Sequence, residues 1–263
     1  MRFDAPRGHS LGIPPKASVR YTILMKLSTR HDGRAVNELR PVKFTVDFVR
    51  SAKGSCLIEM GNTRVICTAS FVPEVPSWRK GGGQGWLTAE YGMLPASTGS
   101  RKSRPGLKPD SRGLEIQRLI GRVLRTVVRL DKLGENSLYL DCDVLQADGG
   151  TRTASVTGAY VALRLAERAL LAEKKVPGRF VQGAVAAVSV GIVQGRPVLD
   201  LDYHEDSAAD VDMNIAMTLA GKYVELQGSS ERQPFDAQQL QQMLALGTRG
   251  ARQLLAQQRR VLA

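Results

Sequence analysis

The stretch from Leu138 to Leu171 changes its hydrophobic period once, and this change constrains the fold more than any other feature of the chain. Apolar residues alternate with polar ones from Leu138 to Val144, as in a strand with one buried face. The polar, glycine-containing run from Gln146 to Gly150 ends this pattern. Ala154 to Leu171 is rich in Ala, Leu and Arg, which favours a helix capped by a preceding Thr or Asp. The sequence therefore predicts a strand, a tight turn and a helix N-terminus in succession.

The start of this predicted helix has the properties of an anion-binding site. Its first backbone N–H groups have no partner within the helix, and Gly149 and Gly150 allow the backbone to come close to a ligand. Arg152 adds a guanidinium group that suits phosphate oxygens. The alternative is that the glycines only form a turn and that Arg152 lies in solvent. Because the stretch lacks the Walker pattern, spacing alone leaves both interpretations open.

Length and charge bound the class of the protein. The chain has 263 residues, with 37 Lys and Arg against 25 Asp and Glu, so its formal net charge is +12. This excess points to a polyanionic partner, without distinguishing RNA, DNA and a membrane surface. No apolar run approaches the roughly 18 residues that cross a bilayer, and the N-terminus lacks a signal-peptide pattern. We therefore expect a cytoplasmic protein without a membrane partner.

The chain is predicted to be one domain behind an N-terminal extension. Residues 1–26 contain basic residues, prolines and glycines without a helical or strand period, so we expect disorder there, with Met25 as an alternative start. No linker divides residues 27–263, which favours a single domain. The Ser-, Gly- and Pro-rich segment 96–110 is expected to be a mobile basic loop.

Three cysteines, Cys56, Cys67 and Cys142, lie far apart in the sequence and in apolar or strand-like surroundings. Their number is odd and no CxxC pair occurs. We therefore expect buried structural thiols, and neither a disulfide framework nor a zinc site.

A cluster of carboxylates contrasts with the positive charge of the chain. Six acidic residues fall within thirteen positions, at Asp200, Asp202, Glu205, Asp206, Asp210 and Asp212. Packed carboxylates repel one another, and a divalent cation is the simplest relief. Mg²⁺ needs only one or two carboxylates besides water and a substrate phosphate, so a pair would suffice. The alternative is a solvated acidic loop.

Several motifs together resemble the bacterial ribonuclease PH family. They are NELRP (Asn37–Pro41), GNTRVICTAS (Gly61–Ser70), GWLTAEYGMLP (Gly85–Pro95), the segment Arg112–Arg122, LDCDVLQADGGTRTAS (Leu140–Ser155) and DLDYHEDSAADVDMN (Asp200–Asn214). They occur in family order and spacing, and the resemblance extends from about Leu27 to the C-terminus. This combination is far more specific than any single motif.

The resemblance implies an α+β fold of the ribosomal protein S5 domain 2 type, with mixed β-sheets and packed helices. It implies that the co-substrate, inorganic phosphate, is bound by Arg112, Gly150, Thr151 and Arg152, with Arg112 supplied across a subunit interface. Arg152, Asp206 and Asp212 would be catalytic, and the two aspartates would hold Mg²⁺ or Mn²⁺. Arg101 and Arg104 would contact RNA, although Ala96 stands where members of the family commonly have arginine.

A predicted helix from Leu114 carries a second basic feature. Its apolar residues recur at helical spacing, and the opposite side bears Arg118, Arg122, Arg125 and Arg129. Such a stripe is usually a solvated face, but in a ring-forming nuclease it could line a subunit contact or the RNA path.

The activity implied by the resemblance is that of a tRNA nucleotidyltransferase, a phosphorolytic 3′-to-5′ exoribonuclease. Such an enzyme trims tRNA precursors and other RNA 3′ ends, releases nucleoside diphosphates and adds nucleotides in the reverse reaction. The implied assembly is a homohexamer, a trimer of dimers. Three other functions compete: a non-catalytic RNA-binding ring subunit, a metal-dependent hydrolytic exonuclease, and a ribosomal or DNA-binding structural protein. The acidic cluster argues against the last.

Overall fold

The computed structural model describes residues 30–104 and 110–263, so the extension expected at residues 1–26 lies outside the described part of the chain. The chain divides after Val36, and Asn37–Ala263 is the larger compact unit. In the smaller unit, residues 30–36 form a turn in which the Arg34 side chain pairs with Asp32. The elements described below all belong to Asn37–Ala263.

The first sheet has five strands in the order β1-β2-β3-β5-β4. They are Val42–Val46 (β1), Gly54–Met60 (β2), Thr63–Val72 (β3), Trp86–Met93 (β4) and Ser137–Gln146 (β5). Neighbouring strands are antiparallel, except that β4 runs parallel to β5 at one edge. β2 and β3 form a hairpin, with Gly61 at a φ of 56°, a conformation that costs glycine little.

The second sheet has four antiparallel strands in the order β7-β6-β8-β9. They are Val185–Val193 (β6), Arg196–Leu199 (β7), Val211–Thr218 (β8) and Tyr223–Ser230 (β9). β6 is almost wholly buried and β8 is mostly buried, while β9 lies at an edge and is mostly exposed. Gly195 lies between β6 and β7, and Gly221 lies between β8 and β9.

Five α-helices complete the described structure. They are Ser111–Arg125 (α1), Leu130–Leu133 (α2), Thr151–Ala172 (α3), Tyr203–Ala208 (α4) and Ala237–Val261 (α5), with a short 3₁₀ helix at Ser77–Arg79. α3 contacts β2 and β3 of one sheet and β6 of the other, and 15 of its 22 residues are buried. α1 packs on β4, and α5 packs on β6 and β7. α3 is thus the central layer between two sheets, and the expected α+β fold with mixed sheets and packed helices is confirmed.

The predicted strand, turn and helix are β5, Asp148–Gly150 and α3, but the helix begins differently from the prediction. α3 starts at Thr151, and its N-cap is Gly150 with a left-handed φ of 63°, in place of a Thr or Asp side chain. Likewise α1 starts at Ser111, capped by Asp110, so Arg112 lies inside its first turn instead of before it. Both helices therefore begin closer to the expected phosphate-binding residues than the sequence indicated.

In the C-terminal segment from Phe235, apolar residues recur near helical spacing with interruptions at Gly247 and Gly250, which predicts one bent helix or two short ones. α5 is continuous through Gly247 and Gly250. A Cβ on Gly247 would lie 2.3 Å from Cδ1 of Ile215, and one on Gly250 would lie 2.7 Å from Cδ1 of Leu199. These glycines let the helix approach the second sheet, so they are packing positions and not breaks. No helix in the described residues is long and apolar enough to cross a membrane.

Candidate active site

The turn Asp148–Gly150, between β5 and α3, is the centre of the candidate site. Gly149 has a φ of 72°, which glycine adopts readily. A Cβ on Gly149 would lie 2.6 Å from the carbonyl carbon of Asp202 and 2.8 Å from the backbone nitrogen of Tyr203. Only glycine fits between these two backbones. The turn is therefore pressed against the segment that leads into α4.

Side-chain hydrogen bonds hold this turn in place. The Asp148 carboxylate accepts hydrogen bonds from the Tyr203 backbone N–H and from Nδ2 of Asn62, each at 3.2 Å. Arg40 donates through Nη1 to the Asp148 carbonyl, and its Nε and Nη2 donate to the Asp200 carboxylate at 3.1 and 2.7 Å. The turn is thus tied both to the segment after β7 and to the start of α4.

The N-terminus of α3 is arranged as an anion-binding site would be. Within the described residues, no side chain caps the helix, because the N-cap is glycine. Unpartnered N–H groups and the helix dipole at such a terminus favour a negative ligand. Thr151 Oγ1 lies 2.9 Å from Tyr91 Oη, and the Thr153 hydroxyl donates to the Gly150 carbonyl at 2.9 Å. These bonds fix the first turn of the helix.

Arg152 is oriented by residues from two other elements. Its Nη1 donates to Oε1 of Gln227 on β9 at 2.8 Å and lies 3.4 Å from Oε1 of Glu115 on α1. Nε2 of Gln227 donates to the same Glu115 oxygen at 3.0 Å. The guanidinium group is therefore held at the N-terminus of α3 through its Nη1.

Asp206 on α4 and Asp212 on β8 form a carboxylate pair. Burial raises the pKa of Asp206, and the charge of Asp212 raises it further, while Arg112, Arg152 and Arg40 act in the opposite direction. The two carboxylates and the three guanidinium groups therefore lie within electrostatic reach of one another. The site combines concentrated negative and positive charge, as phosphoryl transfer requires.

Arg112 of the same chain reaches this site. The resemblance to the ribonuclease PH family implied that a neighbouring subunit supplies it. In the structure Arg112 lies in the first turn of α1 and acts electrostatically on both Asp206 and Tyr91 of its own chain. The supply of Arg112 across a subunit interface, as the resemblance implies, stays a prediction.

The other members of the acidic run have structural partners. Asp200 is the fully buried partner of Arg40. Asp202 caps α4 by accepting from the Glu205 backbone N–H at 3.0 Å, and the Glu205 side chain accepts from the Asp202 N–H at 3.3 Å, which is a capping box. Asp206 and Asp212 are the two members of the run that the family resemblance implies for a cation, and that assignment stays a prediction.

The donor set at Asp206 and Asp212 fits a divalent cation. Both side chains are half-buried and supply hard oxygen ligands, and a bound cation would relieve their mutual repulsion. Ser229 Oγ donates to Asp212 at 3.2 Å and orients that carboxylate. Oxygen donors suit both Mg²⁺ and Mn²⁺.

The basic loop that follows β4 starts beside the site. The Leu94 N–H donates to the Val144 carbonyl at 3.0 Å, and the Ala147 N–H donates to the Ser97 carbonyl at 2.8 Å. Arg101 and Arg104 are exposed in this loop, and residues 105–109 lie outside the described part of the chain. The structure therefore roots the loop next to the glycine turn but does not bring either arginine into the carboxylate cluster.

Sequence reasoning assigned no role to Arg40, Tyr91 or Gln227, all of which shape the site. Arg40 belongs to the NELRP motif, where an arginine between Leu and Pro was a visible but unexplained signal. Tyr91 falls on a strand that reads as ordinary alternation, and Gln227 on an edge strand. Nothing in the local sequence distinguishes the latter two from structural positions.

Two family models match the chain and meet at this site. The 3′ exoribonuclease family, domain 1, matches residues 38–169, and domain 2 of the same family matches residues 183–250. The glycine turn, Arg112 and Arg152 lie in the first matched segment, and Asp206 and Asp212 lie in the second.

Several solved structures have the same fold. Rrp46 of rice (Oryza sativa) is 15% identical with a TM-score of 0.73, covering 89% of this chain and 100% of that one. The Archaeoglobus fulgidus exosome with RNA bound to the active site gives 24% identity and a TM-score of 0.73, covering 90% and 96%. An archaeal exosome core gives 24% and 0.70, covering 91% and 96%. These likenesses establish the fold, which is of the ribosomal protein S5 domain 2 type. Because the family models also span most of the described sequence, the chain belongs to the 3′ exoribonuclease family.

Proposed function

We propose that the protein is a phosphorolytic exoribonuclease, which shortens RNA from its 3′ end with inorganic phosphate as the attacking group. The observation that carries this proposal is the position of an anion-binding helix N-terminus, with Arg152 and Arg112, within electrostatic reach of the Asp206 and Asp212 pair. The first feature suits a phosphate nucleophile, and the second suits the scissile phosphate of an RNA chain.

The central difficulty of this reaction is to bring two anions together. Arg152, Arg112 and the backbone N–H groups at Thr151 would hold inorganic phosphate and offset its charge, which turns a bimolecular encounter into a positioned one. A phosphate oxygen then attacks the phosphorus of the last phosphodiester bond. The 3′ oxygen of the preceding nucleotide leaves and takes up a proton, and a nucleoside diphosphate is released.

A divalent cation held by Asp206 and Asp212 would neutralise the charge that builds on the scissile phosphate and the leaving oxygen. No histidine or serine base is needed, because phosphate is already ionised near neutral pH. The buried clamp of Arg40, Asp148 and Asp200 would keep the phosphate site and the carboxylates in register.

The finer assignment rests on the resemblance to ribonuclease PH. The substrates would be tRNA precursors and other RNA 3′ ends, and nucleoside diphosphates would drive the reverse addition. The assembly would be a homohexamer working in the cytoplasm, with Arg101 and Arg104 contacting the RNA. The net charge of +12 supports a polyanionic substrate of this kind.

The test is the identity of the released nucleotide. The protein is incubated with a tRNA carrying a short 3′ extension and Mg²⁺, with and without inorganic phosphate, and the products are separated by chromatography. Nucleoside diphosphates that appear only with phosphate support phosphorolysis. Monophosphates without phosphate would instead establish hydrolysis, and RNA binding without release in either condition would indicate a non-catalytic ring subunit.

A further inference from the structure

Two tryptophans and two arginines cluster where β4 begins, away from the candidate active site. The rings of Trp78 and Trp86 meet edge to face with centroids 4.9 Å apart. The Arg79 guanidinium carbon lies 5.9 Å from the Trp78 centroid and 5.6 Å from that of Trp86, and that of Arg125 lies 5.0 Å from Trp86. Trp78 is 65% exposed, although the Arg79 guanidinium group lies beside its ring. We call these four residues the tryptophan–arginine patch.

The charge of the patch is incompletely balanced. Arg125 is half-buried, and its Nη1 donates to the Leu87 carbonyl at 3.0 Å. In residues 30–104 and 110–263, the structure pairs no carboxylate with Arg125. Burial lowers its pKa, and the nearby charge of Arg122 adds to this effect. A partly buried cation without a counter-charge is costly, so a ligand phosphate at this position would be stabilising.

A groove of about 470 Å³ extends from the patch between α1 and β4. Arg118, Arg122 and Arg125 line it on the helix side, with Trp86 and Glu90 on the strand side. Arg122 is neutralised by Glu225 at 2.7 Å, and Glu90 accepts from Nε2 of Gln117 at 3.2 Å. Arg118 is exposed, so together with Arg125 it supplies positive charge to the groove.

The strand and the helix that line the groove also reach the phosphate site beyond it. β4 runs from Trp86 to Tyr91, which bonds to Thr151, over about 17 Å at strand spacing. α1 runs in the opposite sense from Arg112 at the site to Arg125 at the patch, over about 20 Å at helix spacing. A polymer whose end occupied the site could therefore follow the groove for a few units and reach Trp78.

We propose that the groove and the tryptophan–arginine patch bind the single-stranded RNA that lies upstream of the 3′ end in the active site, with one base stacked on Trp78 and backbone phosphates on Arg118 and Arg125. The identity of the strand rests on the proposed function. Proteins bind single-stranded RNA by stacking bases on aromatic side chains and by contacting phosphates with basic ones. The patch offers both an exposed indole face and adjacent guanidinium groups.

Intrinsic fluorescence gives a direct probe, because the chain has two tryptophans and both belong to the patch. The full-length protein is titrated, without phosphate and with EDTA, with a single-stranded RNA of about 12 nucleotides and with a dinucleotide. The longer RNA is expected to quench the tryptophans and the dinucleotide is not. Trp78→Ala should weaken binding of the longer RNA about five- to hundredfold, measured by anisotropy of labelled RNA, and leave the dinucleotide unaffected.

Matched variants separate stacking from general charge. Trp78→Tyr keeps an aromatic face and should retain most of the affinity. Arg118→Gln should lower the slope of affinity against salt by about one unit. Arg252→Gln removes an equally exposed charge on α5 and should change binding far less. Equal effects of Arg118→Gln and Arg252→Gln would overturn the proposal, because the groove would then contribute only net charge.

Two further outcomes are decisive. Unchanged affinity for the longer RNA in Trp78→Ala overturns the proposal, and a change in oligomeric state in that variant, seen by light scattering, would assign the patch to a contact between copies of the chain. Because these measurements involve no turnover, they are independent of the product assay. Length-dependent quenching together with no nucleotide release would retain the groove and reject the proposed phosphorolysis.

Discussion

Arg40 and Asp200 form a fully buried ion pair, with Nη2 and Oδ1 2.7 Å apart and side chains that are 4% and 0% exposed. The Arg40 backbone N–H also donates to this carboxylate, at 2.8 Å. Although burial disfavours its charge, the Asp200 carboxylate raises the pKa of Arg40. The two residues are 160 positions apart and belong to the two different matched segments. Their pair therefore joins the two halves of the chain beside the glycine turn.

Breaking this pair is expected to be strongly destabilising. Arg40→Met leaves Asp200 buried without its partner, and such losses typically cost about 3–5 kcal/mol of unfolding free energy. Urea unfolding followed by circular dichroism measures the change. Lys53→Met, which breaks an exposed pair with Glu173, is the control and should cost far less. Similar losses in both variants would contradict a special role for the buried pair.

Gly149 and Gly195 provide a matched test of the close backbone contact at the site. Both have left-handed φ values, 72° and 71°, but a Cβ on Gly195 would meet nothing within 4 Å. Gly195→Ala should therefore cost only the backbone term, about 1–2 kcal/mol. Gly149→Ala should cost clearly more and lower activity, because the new methyl group pushes the turn away from Tyr203. Equal melting temperatures for the two variants would argue against a steric clash of the new methyl group at position 149.

Much of the fold could be predicted from the sequence because its signals are local. The alternation of β5 and the composition of α3 define that unit without tertiary information. α4 was not anticipated, because its six residues show no hydrophobic period and depend on the capping box at Asp202. The continuity of α5 was also missed, since Gly247 looks like a break until Ile215, distant in sequence, is known to pack against it.

The candidate site was predictable to the extent that its residues sit in recognisable runs. The acidic run was visible in the sequence, but the choice of Asp206 and Asp212 within it came from the family resemblance. The role of Arg40 was not predictable, because an ion pair across 160 positions has no signature in a single sequence.

Arg152 is expected to be essential for the reaction and not for the fold. Removing one preorganised charge donor of this kind typically lowers the rate by about 10²- to 10³-fold, and we expect that loss of phosphorolysis for Arg152→Ala. Arg152→Lys keeps the charge but loses the planar fork, so it should recover only part of the activity. Initial rates at varied phosphate concentration measure both. Arg196→Ala, an exposed site on β7, is the control, and near wild-type rates in Arg152→Ala would reject the phosphate-site assignment.

Activity is expected to require a divalent cation bound at Asp206 and Asp212. Chelation with EDTA should abolish nucleotide release, and added Mg²⁺ should restore it. Asp206→Asn or Asp212→Asn should lower the rate by about 10²-fold or more and raise the Mg²⁺ concentration needed, because each removes a charged ligand. Asp210→Asn, in the same acidic run, is the control, since the backbone of Asp210 makes hydrogen bonds that the substitution leaves in place. Full activity in EDTA would exclude this metal role.

The three cysteines, distant in sequence, form one row across the first sheet. Cys56 on β2 pairs in register with Cys67 on β3, and Cys67 pairs with Cys142 on β5. All three are free and buried, as expected from the sequence. The Sγ atoms of Cys67 and Cys142 lie 3.8 and 3.9 Å from the Ser155 carbonyl oxygen of α3. The row therefore faces the central helix.

Burial should make these thiols unreactive. It should also make the stability of the folded protein fall as the pH rises through the alkaline range. Burial raises the pKa of Cys56 to about 12, and only the thiolate reacts readily, so the folded protein should resist a thiol reagent at pH 8 and label fully in urea. Above the ordinary thiol pKa of about 8.5, the unfolded chain loses a proton that the folded chain keeps. Stability should then fall with rising pH, by up to about 1.4 kcal/mol per pH unit for this thiol, until the folded pKa is reached. Urea unfolding at pH 8 and pH 10 measures the slope, and Cys56→Ala should reduce it relative to the unaltered chain. Rapid labelling of the folded protein would show that the thiols are accessible. An unchanged slope in Cys56→Ala would show that Cys56 does not titrate as its burial requires.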